Sequence, residues 1–108
     1  MSITVNILYH GRNGSARAFA DKMTACGIVE SVRAEEGNES YEYFMSWEDP
    51  ETVLLIDRWR DQEALDAHHA SPIMSRIAEL RDRYDLHMEV RRYAEVDAPE
   101  TDSAFIRK

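Results

Sequence analysis

The chain has 108 residues, room for one domain, and 44% of them are hydrophobic, which excludes a disordered chain. Its 13 Lys and Arg stand against 21 Asp and Glu, a formal net charge of −8, so neither nucleic acid nor an anionic membrane surface is an expected partner. The lone cysteine, Cys26, excludes an internal disulfide, no His/Cys cluster predicts a metal site, and no apolar run reaches the ~20 residues of a membrane span. Met1 leads into Ile3–Tyr9 with no basic segment, so no signal peptide is expected and the cytoplasm is the expected compartment.

Ile3–His10 is short and β-branched and stops at Gly11, which predicts a first strand. Ser15 is the expected N-cap of a helix whose inward face is Ala16, Phe19, Ala20 and Met23. Gly27 breaks it, and a further turn is expected across Ile28–Arg33. Ser40–Trp47 predicts a second strand, with Tyr41, Tyr43 and Met45 on one face. A turn at Glu48–Glu51 leads to a third strand, Thr52–Arg60, whose nearly continuous apolar run predicts burial on both faces. Asp61 is the expected cap of a helix carrying Ala64, Leu65, His68 and His69. Ser71-Pro72 fits a new N-cap followed by Pro at the first helical position, with Ile73, Ile77, Leu80 and Tyr84 as the apolar stripe. Leu86–Val96 predicts a fourth strand.

The order β-α-β-β-α-β predicts an α+β ferredoxin-like domain over residues 1–96, an antiparallel sheet with its helices on one face. Residues 97–108 form a C-terminal tail, with Ser103–Lys108 expected as a short strand at a dimer interface. A third strand apolar on both sides, in a sheet covered on one, predicts a homodimer with the two sheets facing.

Three segments carry a family resemblance: Arg33–Tyr43 (RAEEGNESYEY), Asp49–Pro72 (DPETVLLIDRWRDQEALDAHHASP) and Glu89–Tyr93 (EVRRY). They resemble the antibiotic biosynthesis monooxygenase family, in the acid-Arg-Trp strand end and in the helix with His before Ser-Pro. The resemblance implies a dimeric α/β barrel. It also implies cofactor-independent oxidation of a quinol or polyhydroxylated aromatic by O₂. Relatives include an isomerase of a phosphorylated signalling sugar, and a non-catalytic ligand-binding or stress-response domain is the other alternative.

The residues agree with an absence of cofactor. Gly11-Arg-Asn-Gly14 is not a dinucleotide fingerprint, and there is no P-loop. A deprotonated hydroquinone reduces O₂ directly, so the protein need supply only an apolar pocket, a proton acceptor and something to hold the anion. His68, one turn after Leu65, is the candidate base, against a plain helix-end role. His69 points roughly 100° away and is expected at the surface or an interface. Trp59 is either a pocket wall for a flat ring or a core residue, and Asp57 on its face needs a partner. Asn6, unusual in a strand, is the candidate polar helper to His68, and Tyr41 and Tyr43 are either substrate contacts or sheet packing.

Overall fold

A computed structural model describes all 108 residues. The strands are β1 (Ile3–His10), β2 (Asn38–Met45), β3 (Thr52–Trp59) and β4 (His87–Ala94). The helices are α1 (Ser15–Ala25), α2 (Ile28–Arg33), α3 (Gln62–His69) and α4 (Ile73–Arg83). The strands form one sheet in the order β2-β3-β1-β4, every neighbouring pair antiparallel, which is the ferredoxin-like arrangement.

Side chains alternate across the sheet. Val5, Ile7 and Tyr9 of β1 and Val53, Leu55, Asp57 and Trp59 of β3 point to the helices and are buried. Phe19 and Met23 of α1, Ile28 and Val32 of α2, Leu65 of α3 and Ile77 and Leu80 of α4 close over them as one core. Leu54, Ile56 and Arg58 point to the other face and are only half-buried, so within one chain β3 alternates rather than being buried on both sides.

Several local expectations are corrected. Ser15 does not cap α1: Gly14 occupies the cap position at φ 80, and the Ser15 hydroxyl accepts from the Arg12 N–H at 2.9 Å. A left-handed residue there favours glycine over serine. Ser71 does not cap α4 either; its hydroxyl turns back and donates to the His68 carbonyl at 2.7 Å. The second strand stops at Met45, leaving Trp47 fully exposed beyond it. The tail holds a 3₁₀ turn, Glu100–Phe105, instead of a strand over Ser103–Lys108, because it has no neighbouring strand to pair with. Asp61 does cap α3, accepting from the Ala64 N–H at 2.9 Å.

One junction sets up everything around the site. Gly37, at φ +83, turns the chain from α2 into β2, and a Cβ there would lie 2.4 Å from the Cβ of Ala64 on α3. The missing side chain lets α3 lie directly on this turn, and the Gly37 carbonyl accepts from the Arg60 N–H at 2.8 Å.

Candidate active site

A cavity of roughly 180 Å³ lies between the sheet and helices α3 and α4. Its floor follows from strand register. Tyr41, Asp57, Val5 and Arg92 are paired in one row across β2, β3, β1 and β4, and Leu55, Ile7 and Val90 lie in the next. Leu65, His68 and His69 of α3 and Met74, Ile77 and Arg81 of α4 supply the roof.

His68 is 5% exposed although it is a histidine in the last turn of α3. Its Nδ1 lies 2.9 and 3.1 Å from the two carboxylate oxygens of Glu35, in the turn after α2. Its ring stacks on Trp59, with centroids 4.6 Å apart and planes 27° from parallel. The Trp59 indole N–H donates to Asp57 Oδ2 at 2.7 Å. The other carboxyl oxygen, Asp57 Oδ1, is buried without a protein partner. Burial pushes the Asp57 carboxyl above the usual carboxylate range, against the indole N–H and the positive potential of His68, His69 and Arg81. Arg81 donates from Nε to the Tyr9 hydroxyl at 3.0 Å, its guanidinium 5.5 Å from that ring's centroid.

The cavity therefore combines an apolar lining with an oriented imidazole, a buried carboxyl oxygen in need of a hydrogen bond, and a guanidinium. An apolar cavity of about 150 Å³ accommodates benzene, so this one suits a single substituted ring. No three His, Cys, Asp or Glu side chains converge in a metal-ligand arrangement, and no helix is long and apolar enough to cross a membrane.

The structure brings His68, Asp57 and Tyr41 to this cavity and His69 to its more exposed rim. It separates three others. Asn6 pairs with Ile56 and Arg91 on the face away from the helices, so it cannot assist His68; strand alternation places it one residue out of phase with Val5 and Ile7. Tyr43 turns toward α1, among Arg17, Ala20, Asp21 and Thr24, with its ring meeting that of Tyr41 edge-on at 5.8 Å. Trp59 is 0% exposed and does not line the cavity, because His68 covers its ring. It backs the imidazole instead of meeting a ligand. Burial pushes the phenols of Tyr41 and Tyr43 up, so both stay neutral hydroxyls. Glu35 and Arg81 are the residues the sequence reading passed over. Arg81 carried a signal: it lies four residues after Ile77, on the same inward helix face.

Fold and site together define a ferredoxin-like α+β domain with a histidine-bearing cavity between sheet and helices. The chain belongs to the antibiotic biosynthesis monooxygenase family, whose model matches residues 2–80. It is 33% identical over 45 residues to YcnE of Bacillus subtilis (strain 168), provisionally named a monooxygenase; the match spans 42% of this chain and about half, 47%, of that relative. Among solved structures, a conserved protein from Methanosarcina mazei Go1 superposes with a TM-score of 0.77 at 23% identity, covering 89% of this chain and 94% of its own. Rv0793 from Mycobacterium tuberculosis gives 0.72 at 24%, covering 91% and 98%. A Deinococcus radiodurans protein provisionally named an antibiotic biosynthesis monooxygenase gives 0.72 at 18%, covering 93% and 97%. At these identities the structures bear on the fold alone.

Proposed function

We propose that this protein is a cofactor-independent monooxygenase that oxidises a quinol or polyhydroxylated aromatic with O₂. The observation that carries the reading is His68: a buried imidazole, held by a carboxylate through one nitrogen, at the wall of an apolar cavity of single-ring size. In this reading the His68 Nε2 takes the proton of a ring hydroxyl. The resulting oxyanion is held by Arg81, and Asp57 Oδ1 exchanges a hydrogen bond with a second ring oxygen. The electron-rich anion then reduces O₂. One oxygen atom enters the ring, the other leaves as water, and the hydroquinone ends as a hydroxyquinone, so atoms and electrons balance without an added reductant.

Oxygen uptake tests this. The purified protein, with no flavin or metal added, should consume O₂ with at least one member of a panel of hydroquinones and polyphenols, above their spontaneous autoxidation. A panel that nowhere exceeds background overturns the reading. A second reading, isomerisation of a small phosphorylated sugar, draws on Arg81 and Arg92, two cations lining the same cavity. Inorganic phosphate that binds there, in a protein inert to every quinol, would favour it. The active form in either case is proposed to be a homodimer.

A further inference from the structure

We infer that Glu35 is a positioning residue that fixes the tautomer of His68, leaving its Nε2 bare and facing the cavity. The inference concerns the base named above and rests on that reading for its catalytic consequence.

The two residues are 33 positions apart and meet through one rigid bracket. Glu35 lies in the turn that follows α2, whose backbone is fixed at both ends: its N–H donates to the Val32 carbonyl at 3.0 Å, and its carbonyl accepts from the Asn38 N–H at 3.1 Å. Gly37 seats the turn against Ala64 and bonds to Arg60, next to the Asp61 cap that starts α3. At the other end of α3, the Ser71 hydroxyl pins the His68 carbonyl. Carboxylate and imidazole are thus presented to each other by backbone that neither can easily move.

Two features separate this contact from ordinary charge pairing. Arginines lie close by, Arg33 in sequence and Arg60 through its backbone bond to Gly37, yet they are engaged elsewhere: Arg33 by Glu30 and the Tyr41 carbonyl, Arg60 by Glu36 and Asp61. Glu35 instead meets an imidazole that is almost wholly buried. A carboxylate only accepts hydrogen bonds, so the His68 nitrogen facing it must carry the proton. In the neutral ring Nε2 is then the lone-pair nitrogen, the reverse of the tautomer that free histidine prefers. Stacking on Trp59 fixes the ring plane, so one neighbour sets which nitrogen is basic and the other sets where it points.

Nitrogen-15 NMR of the histidine side chains reads this directly, with His68→Ala assigning the signal. At a pH where the ring is neutral, His68 should show a proton on Nδ1 and a bare Nε2. In Glu35→Ala the population should shift toward the Nε2–H form. Glu35→Gln should keep the native tautomer, since its amide oxygen still accepts. A wild-type ring protonated on Nε2, or a tautomer indifferent to Glu35→Ala, overturns the inference. Where the alanine variant does not fold, Glu35→Asp, which draws the carboxylate back by one methylene, takes its place. With a turned-over quinol, Glu35→Ala should lower kcat by about tenfold or more and leave KM nearly unchanged. An unchanged kcat also overturns it. If no quinol reacts with the wild type, the monooxygenase reading fails, while the NMR result still decides the role of Glu35.

Discussion

His68 is the side chain whose loss should be most visible. A positioned general base contributes about 10²–10⁴-fold, so His68→Ala should cut quinol turnover at least about a hundredfold while circular dichroism stays native. Wild-type rates in that variant would return His68 to a structural role. Asp57 makes a prediction of opposite sense, on stability. Its carboxyl holds its proton more tightly folded than unfolded, because burial disfavours the charge. The stability this confers is complete below the ordinary carboxylate range and is lost as pH rises through the folded value. Asp57→Asn keeps an acceptor for Trp59 without the charge. It should raise Tm at about pH 7 and lose that advantage near about pH 4, as thermal melts across the range would show. The sequence pointed to both residues for sound reasons, a histidine one turn after Leu65 and a carboxylate on an apolar face. It did not reveal Glu35, because only the tertiary bend at Gly37 joins that turn to α3. Asn6 was misplaced because strand alternation, not residue type, decides the face.

At the level of elements, periodicity carried most of the information. The four strands and the breaks at Gly27 and Ser71-Pro72 are legible because apolar spacing and chain breakers agree there. The caps were harder, since Ser15 and Ser71 have the right chemistry but spend their hydroxyls on other partners. The C-terminal 3₁₀ turn was illegible as a turn because Ser103–Lys108 has strand-like residues and nothing in one chain to pair with. Gly37 offers the sharpest test at this scale. Gly37→Ala must accept both a left-handed backbone and a Cβ against Ala64, which together should cost about 2–4 kcal/mol. Urea denaturation should show that loss, and the His68 tautomer should become mixed as α3 moves off the turn.

The whole molecule is less compact than its size calls for. A folded monomer of 12.5 kDa typically exposes about 6,200 Å² and has a radius of gyration near about 13 Å, whereas this chain exposes 7459 Å² and measures 15.4 Å. Apolar side chains are left uncovered or half-covered on the sheet face without helices, where Leu8, Phe44, Leu54, Ile56 and Tyr93 share a face with Asn6, and along the tail, where Val96, Phe105 and Ile106 project. The Asn6 amide oxygen is buried within that face without a hydrogen-bond partner. Stable interfaces bury about 800 Å² per partner, and an uncovered apolar face is where such an interface is proposed to form. Sedimentation equilibrium should therefore give a dimer at micromolar concentration; a persistent monomer would refute it. The same uneven covering leaves the two tryptophans in opposite environments, Trp47 100% exposed and Trp59 0%. In a Trp47→Phe chain every indole photon would come from the ring that His68 covers. Its emission should be blue-shifted and deaf to iodide, and should change when a ligand enters the neighbouring cavity. The protein thus carries its own optical gauge of occupancy, by which unlabelled compounds can be screened before any reaction is known.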